Sequence, residues 1–139
     1  MNRLFPTQFL CILLVFPACI LLLSPLTAQS NEFRAPLRID WQVFQGTWQR
    51  TDGNYRMQVE AVKTVGPVTV HYYNPSPVHV AVAYTFVKDA FQGLFIKLED
   101  TGYQGSTYTL FYNKAEDVLT GYYFHAQLQQ TFEVVFVRQ

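Results

Sequence analysis

Gly46-Thr47-Trp48 opens the part of the chain on which the fold prediction depends. Directly after it, Thr51-Asp52-Gly53-Asn54 is typical of a hairpin turn, because Asp and Gly tolerate the positive φ values that such turns need. A long all-β pattern then continues to the end of the chain. We expect Trp48 to plug one end of a small barrel as a core residue. We also expect Arg138, on the last strand, to pack over the indole through a cation–π contact, with its donors on nearby carbonyls.

Period-two alternation of apolar and polar residues recurs along the chain after residue 45 and predicts strands with one buried and one wet face. No convincing helix is predicted, although residues 39–45 are compatible with either a short helical turn or an extended lead-in. The predicted strands cover residues 46–50, 55–62, 68–73, 78–87, 91–98, 106–112, 118–125 and 131–138.

The turns between these strands are short and polar, so strands that are neighbours in sequence are expected to be neighbours in space. A meander of eight antiparallel strands leaves two free edges, and closing the sheet removes both. The predicted fold is therefore all-β, an eight-stranded antiparallel up-and-down barrel. A two-sheet β-sandwich is the alternative that the same alternation permits.

The first thirty residues predict a secretory signal peptide. Asn2-Arg3 gives a short positive start, Leu4 to Leu23 is apolar, and Ala28 and Ser30 are small residues suited to cleavage. An uncleaved membrane anchor is the alternative, which Pro17 disfavours near the middle of the apolar run. We expect an exported protein, periplasmic or secreted, with a signal peptide at 1–30, a leader at 31–45 and a barrel domain at 46–139. Membrane contact is expected only through the signal segment, if it is not cleaved.

Composition excludes several classes of function. Both cysteines, Cys11 and Cys19, fall within the predicted signal peptide, so no disulfide is expected after cleavage. Of the ten Lys and Arg residues one is Arg3, which leaves nine against ten Asp and Glu residues in the remainder. Without a basic excess, nucleic acid is not an expected partner. All nine Tyr residues follow residue 30, and tyrosine suits a half-buried sheet surface with a wet edge.

No pattern in the sequence predicts catalysis, a cofactor or a metal. A metal site needs at least three convergent donors, and the three histidines, His71, His79 and His125, have no obvious further ligand. The carboxylate pairs Glu99-Asp100 and Glu116-Asp117 lie at predicted turns, where turn chemistry explains them. Nucleophile elbows, zincin helices and phosphate loops are absent from the sequence. A hydrolase that pairs His125 or His79 with Asp100 remains the weakest alternative.

Gly46-Thr47-Trp48 resembles the Gly-x-Trp opening of the calycins, the group that contains lipocalins and avidins. In that group an Arg near the end of the last strand packs over the Trp, which the resemblance implies for Arg138. The strand count and meander order also look avidin-like over residues 46–138. Segments 103–110 and 129–132 resemble small exported bacterial proteins of unassigned function. The chain is much shorter than lipocalins and lacks their disulfides, and the biotin-binding residues of avidin have no match here, so biotin binding is not implied.

The most informative loops are those that follow the third, fifth and seventh predicted strands, because a meander brings all three to one end of the barrel. Loops at one mouth of a rigid barrel are where binding residues gather. Ordinary turns with hydrogen-bonding side chains are the alternative explanation of these residues. The candidate ligand-binding residues are Asn74, Asp100, Tyr103, Tyr108, His125 and Gln130, and the structural residues are Gly46, Trp48 and Arg138.

The predicted function is a non-enzymatic binding module for a small apolar or aromatic ligand that enters the mouth framed by Asn74, Tyr103 and Gln130. Such a carrier should contain an internal cavity of about 300 Å³ or more, and a core filled by side chains would rule it out. The alternative is a protein-binding barrel, for instance an inhibitor of an exported enzyme, that uses the same loops. An inhibitor should instead show an exposed apolar patch on a protruding loop.

Overall fold

The computed structural model describes residues 39–139. The predicted signal peptide at 1–30, its alternative as an anchor and most of the predicted leader lie outside the described residues. Within 39–139 the prediction of an all-β antiparallel fold is confirmed, because a single antiparallel sheet curls into a half-barrel. The two-sheet alternative is not what the described part of the chain forms. This part of the chain contains no helix with the length and apolar character to cross a membrane.

The sheet has ten strands, preceded by one turn of 3₁₀-helix, η1, at Trp41–Phe44. The strands are β1 (Gly46–Arg50), β2 (Arg56–Val59), β3 (Gly66–Pro67), β4 (Val70–Asn74), β5 (Ser76–Val78), β6 (Val80–Lys88), β7 (Phe91–Leu98), β8 (Thr107–Asn113), β9 (Val118–His125) and β10 (Gln130–Arg138).

The first and last strands of the described residues pair with each other. Trp48 lies opposite Arg138 and Arg50 lies opposite Phe136 in an antiparallel ladder between β1 and β10. The sheet order is therefore β3-β6-β7-β8-β9-β10-β1-β2-β4-β5, in which β6 to β10 follow the predicted meander. This pairing removes the free edges of β1 and β10, and the edges of the half-barrel lie at β3 and β5 instead, so the predicted full closure is not reached.

The count of ten strands rather than eight arises at one place, where the third and fourth predicted strands are each interrupted. Residues 66–74 divide into β3 and β4, and residues 76–88 divide into β5 and β6. β4 pairs with β5 and β3 pairs with β6, while a bulge between Val80 and Val82 shifts the register. Pro67 and Pro77 lack the N–H that a continuous ladder needs. We call this interrupted junction, residues 66–74 beside 76–85, the seam.

One end of the half-barrel is plugged by Trp48. The indole is completely buried, and its Nε1 donates a hydrogen bond of 2.8 Å to the carbonyl of Phe44. The guanidinium of Arg138 lies 4.1 Å from the centre of the Trp48 ring, as a cation–π contact requires. The predicted contact between Trp48 and Arg138 is therefore confirmed.

The donors of Arg138 also reach nearby carbonyls as predicted. Nη1 donates to the carbonyl of Gln45 at 2.8 Å, and Nη2 donates to that of Val43 at 2.9 Å. Gly46 has a φ of +128°, and a Cβ there would lie 3.2 Å from Nη1 of Arg138. Glycine at position 46 thus permits both a backbone conformation that L-residues avoid and the close approach of the guanidinium.

Within the segment left open by the sequence, residues 39–45, the short helix η1 forms at Trp41–Phe44. Asp40 caps this helix by accepting a hydrogen bond from the N–H of Gln42 at 3.0 Å. Trp41 and Phe44 are buried in the core beside Trp48. This part of the predicted leader therefore packs against the barrel and covers its plugged end.

Replacement of Trp48 by Ala should lower the free energy of unfolding by about 3–5 kcal/mol, because a large buried ring is lost and a cavity remains. The measurement is urea denaturation. The control is Leu128→Ala, at a side chain that is 57% exposed, for which a change within about 0.5 kcal/mol is expected. Equal stability of the Trp48→Ala variant and the parent protein would contradict the assignment of Trp48 as the plug.

The ion pair of Arg138 predicts a dependence of stability on acid pH. Arg138 donates to both carboxylate oxygens of Asp117, each at 2.8 Å, and these hydrogen bonds lower the pKa of Asp117. A carboxyl group whose pKa is lower in the folded state contributes its full stabilisation above its unfolded pKa of about 4. This stabilisation is lost as the pH falls through the folded-state pKa. The difference in unfolding free energy between the parent and Asp117→Asn should shrink below about pH 4.

The matched control is Glu116→Gln, one residue before the ion pair. The difference in unfolding free energy between the parent and Glu116→Gln should not shrink comparably over the same acid range. A parent–Asp117→Asn difference that stays constant down to pH 2 would contradict the proposed contribution of the ion pair.

Candidate functional site at the loop end

Four connections meet at the end of the half-barrel opposite the Trp48 plug. They are the turn between β1 and β2, the corner at Pro75, the loop between β7 and β8, and the turn between β9 and β10. The prediction that the connections after the third, fifth and seventh predicted strands share one end is confirmed. We call this end the loop end.

Arg50 is the charged residue buried beneath the loop end. It lies two residues after Trp48 on β1, so strand alternation directs both side chains inward. Only 8% of Arg50 is exposed, and a buried guanidinium requires hydrogen-bonding partners and a countercharge. Nη1 donates to the hydroxyl of Tyr108 at 3.1 Å, which anchors the group inside the barrel.

The countercharge of Arg50 is Asp52, in the turn that follows the same strand. Arg50 forms a two-pronged contact, from Nε to Oδ1 and from Nη2 to Oδ2 of Asp52, the latter at 2.7 Å. Burial alone would lower the pKa of Arg50, but the hydrogen bonds to Asp52 and Tyr108 and the charge of Asp52 outweigh it and raise that pKa. The same hydrogen bonds lower the pKa of Asp52.

The turn that carries Asp52 has a different geometry from the one predicted. Neither Asp52 nor Gly53 is among the residues with positive φ. Glycine is needed at 53 for space, because a Cβ there would lie 2.5 Å from the ring of Tyr55. Tyr55 in turn stacks on the guanidinium of Arg50, with 4.3 Å between Cζ and the ring centre. The Asp-Gly sequence therefore brings an aromatic ring onto the buried cation.

Two tyrosine hydroxyls extend the polar chain inward from Arg50. The hydroxyls of Tyr108 and Tyr72 lie 2.7 Å apart, and each side chain is 1% exposed. Burial raises the pKa of Tyr108 to about 12, and burial together with the neighbouring Tyr108 also raises the pKa of Tyr72. Both hydroxyls are therefore neutral near pH 7 and form hydrogen bonds without titrating.

Two of the predicted ligand-binding residues are directly bonded at the loop end. Asn74 Nδ2 donates to the hydroxyl of Tyr103 at 2.5 Å, which links the Pro75 corner to the loop between β7 and β8. The ring of Tyr103 meets that of Tyr72 edge to face, at 6.4 Å between centres. A third predicted residue, Tyr108, lies below them in the core. The structure thus brings Asn74, Tyr103 and Tyr108 into one cluster.

The other three predicted residues lie apart from that cluster. Asp100 accepts hydrogen bonds from the backbone N–H groups of His79 and Thr101, and these bonds lower the pKa of its carboxyl. His125 accepts the N–H of Leu128 at 3.4 Å, within the turn between β9 and β10. Gln130 is exposed and lies opposite His125 in the ladder. These three side chains organise or line the rim, and Asp100 chiefly shapes its own loop.

Aromatic rings surround the rim near Arg50. Tyr123 stacks on Tyr108 at 4.6 Å between centres and on Phe132 at 6.5 Å, and it meets His125 edge to face at 5.9 Å. Arg50 also lies 5.6 Å from the centre of the Tyr123 ring. Phe132 is 40% exposed, whereas Tyr123 is 7% exposed. A stack of rings therefore runs from the core to solvent at the loop end.

The interior below this rim is filled by side chains. At most 1% of each of the following is exposed: Trp48, Tyr72, Leu94, Ile96, Tyr108 and Leu110. The cavities described for residues 39–139 are open grooves. One of about 810 Å³ lies beside Phe91 and Lys114, one of about 500 Å³ lies beside Tyr122 and Glu133, and two of about 320 and 400 Å³ lie along the seam. The internal space expected of a carrier is not among them.

Two of the arrangements considered in the sequence, a metal site and the pairing of His79 with Asp100, can be compared with residues 39–139. In the described part of the chain no group of three or more His, Cys, Asp or Glu residues converges as a metal site. His71 contacts Glu60 at 2.9 Å on the outer surface. Asp100 bonds the backbone of His79 rather than its ring.

Sequence reasoning missed Arg50, Tyr72, Tyr123 and Phe132 as parts of the site. The signal for Arg50 is its spacing of two from Trp48, which places it on the buried face of β1 and so demands a partner. For Tyr123 and Phe132 the signal is weaker, because apolar alternation marks them only as inward-facing. Their proximity depends on the register between β9 and β10, where Phe132 lies opposite Tyr123.

Comparisons of this chain with protein-family models, with curated proteins and with solved structures find no significant match.

The hydroxyl pair in the core predicts a measurable coupling. Removing the Tyr108 hydroxyl leaves Nη1 of Arg50 and the hydroxyl of Tyr72 without their hydrogen-bond partner, so Tyr108→Phe should cost about 1–3 kcal/mol of unfolding free energy. Tyr72→Phe should cost less, because it removes a single bond. In a double-mutant cycle measured by urea denaturation, the coupling between the two substitutions should be about 0.5–3 kcal/mol. Simple additivity would show that the 2.7 Å contact contributes nothing.

Proposed function

We propose that this protein is an exported, non-enzymatic binding module that holds a small apolar or aromatic ligand at the loop end. The observation that carries the proposal is the ring stack of Tyr108, Tyr123 and Phe132, in which Arg50 lies 5.6 Å from the centre of the Tyr123 ring and Phe132 is 40% exposed. An exposed ring supported by packed rings is a rigid platform for stacking. Because the interior is filled, the ligand sits on the rim rather than inside the barrel.

The ionisation of the polar groups at this end supports a binding role over a catalytic one. General acids and bases work best when their pKa lies near the operating pH. Here the pKa values of Arg50, Tyr72 and Tyr108 are raised and that of Asp52 is lowered, so each moves away from neutrality. Such groups fix hydrogen bonds and orientation without exchanging protons.

The relationship to calycins and the export of the protein belong to the same proposal. The likeness to lipocalins and avidins is supported by the contact of Arg138 with Trp48, by positive φ at Gly46, and by the pairing of the first and last strands. Export to the periplasm or the medium is supported by the pattern of residues 1–30 in the sequence.

A probe titration followed by nuclear magnetic resonance tests ligand binding. Indole, benzoate and cyclohexanol would each be added to the ¹⁵N-labelled protein up to millimolar concentrations. Indole or benzoate should cause saturable shifts at Tyr123, His125 and Phe132, and cyclohexanol should cause weaker ones because it cannot stack. Phe132→Ala should raise the dissociation constants of the aromatic probes about tenfold, equivalent to about 1.4 kcal/mol.

The matched control is Phe91→Ala, which truncates the same residue type at the opposite end of the sheet, where Phe91 is 61% exposed. This variant should bind the probes at the loop end as the parent does. Absence of shifts at the loop end with all three probes, or equal weakening by both phenylalanine variants, would overturn the proposal.

A protein-binding barrel is the second candidate, and it is favoured by Leu128. This apolar side chain is 57% exposed at the tip of the turn between β9 and β10, at the same rim. If an exported protein is the partner, Leu128→Ser should abolish its capture from the host's exported fraction while leaving indole binding unchanged. If Leu128→Ser leaves the capture of the partner protein unchanged, the protein-binding candidate is excluded.

A further inference from the structure

The loop end exposes a carboxylate that still has room for a hydrogen-bond donor. The side chain of Asp52 is 53% exposed, although it is the countercharge of the buried Arg50. Oδ1 accepts from Nε of Arg50 and Oδ2 accepts from Nη2, so Arg50 occupies one position on each oxygen. A carboxylate has about four lone-pair sites. Asp52 therefore presents an unused acceptor to solvent on the side away from Arg50.

The cation of this pair is enclosed, in contrast to its partner. Arg50 is 8% exposed, and it donates to Asp52 from Nε and Nη2 and to the hydroxyl of Tyr108 from Nη1. The ring of Tyr55 lies 4.3 Å from the guanidinium, and that of Tyr123 lies 5.6 Å from it. An anionic ligand would have to displace Asp52 to reach this guanidinium. The pair thus presents its negative partner to the mouth of the half-barrel.

The register between β1 and β10 brings Asp52 toward the aromatic stack. Beyond the end of β1, Thr51 continues the ladder by donating its N–H to a carbonyl of β10 at 3.0 Å. Continued by one residue, the same register places Asp52 diagonal to Phe132. Both side chains lie on the inner side of the sheet, since Asp52 bonds Arg50 and Phe132 stacks on Tyr123. Diagonal neighbours of this kind are about 7–8 Å apart, a distance that a small aromatic molecule with a short side arm can bridge.

We propose that the ligand held at the loop end is an aromatic amine, whose ring stacks on Phe132 and whose ammonium group donates to the solvent side of the Asp52 carboxylate. This inference rests on the function proposed above and specifies the class of ligand. An ammonium group has donors and no acceptor, so it matches an ionised carboxylate. A cation is also attracted to the faces of aromatic rings such as those at this rim.

The other charges at the loop end favour a cation as well. The hydrogen bonds from Arg50 lower the pKa of Asp52, so its carboxylate is ionised at neutral pH. Lys97, beside the loop between β7 and β8, lies 3.2 Å from Glu99 and is already paired. Asp100 adds a further carboxylate to the same loop. An ammonium group therefore meets attraction at this end, whereas a carboxylate on the ligand would meet repulsion.

Three ligands that share a phenyl ring and differ in charge test this inference: phenethylammonium, phenethyl alcohol and hydrocinnamate. Each would be titrated into the ¹⁵N-labelled protein at neutral pH, and the shifts at Asp52 and Phe132 would be followed. The ammonium should bind about fivefold more tightly than the alcohol, and hydrocinnamate should bind more weakly than the alcohol. Raising the ionic strength from about 0.02 to about 0.2 M should weaken the ammonium about twofold and leave the alcohol unchanged, because salt screens an exposed carboxylate.

Removal of the charge of Asp52 tests its role directly. Asp52→Asn should abolish the preference for phenethylammonium over phenethyl alcohol. The matched control is Asp117→Asn, which removes the carboxylate of the pair with Arg138 at the plugged end and should leave the preference unchanged. The dispersion of the amide spectrum shows whether each variant is folded. If Asp52→Asn does not fold, the ranking of the three ligands and the salt dependence in the parent protein decide the question.

The outcomes separate this inference from the function on which it rests. Equal binding of the ammonium and the alcohol by the parent protein, or tighter binding of hydrocinnamate, would overturn the choice of an amine and leave an aromatic site at the loop end. The same loss of preference in Asp52→Asn and Asp117→Asn would overturn the role of Asp52. Absence of shifts at the loop end with all three ligands would instead overturn the proposed function, and the choice of an amine with it.

Discussion

The ladder between β1 and β10 is the interaction on which the rest of the structure depends. It joins strands from the two ends of the described chain, and it places Arg138 over Trp48. The guanidinium then ties the carbonyls of Val43 and Gln45 to the last strand. Without this ladder the indole would lose its cover, and Arg50, two residues along the same strand, would not reach Tyr108.

Much of this arrangement could be predicted because it follows from local patterns. Alternation predicted the inward position of Trp48, and the bounds of β1, β7 and β9 agree with the predicted strands. Proline and the bulge at Val80–Val82 defeated the same reasoning at the seam, since one extra residue reverses which face a side chain occupies. Tyr84 and Phe86 therefore point outward, which alternation alone could not predict.

The site was harder to predict than the fold, because its contacts join residues far apart in sequence. Asn74 and Tyr103 could be placed at one end by topology alone, and they do meet. The partnership of Arg50 with Tyr108 spans 58 residues and depends on register as well as on topology. Asp100 appeared suited to binding by its residue type, yet the local turn uses its carboxylate to hold backbone N–H groups.

The pairing of β1 with β10 also constrains how the chain can reach its native state. Trp48 and Arg138 are 90 residues apart (138 − 48), so at about 5–20 residues per second the ribosome makes the second partner roughly 5–18 s after the first. Contacts of such long range also slow folding in a complete chain. During translation β1 has only β2 as a neighbour, and the indole remains wet. The pairing of β1 with β10 must therefore await the synthesis of β10, whatever the local strength of the hairpins.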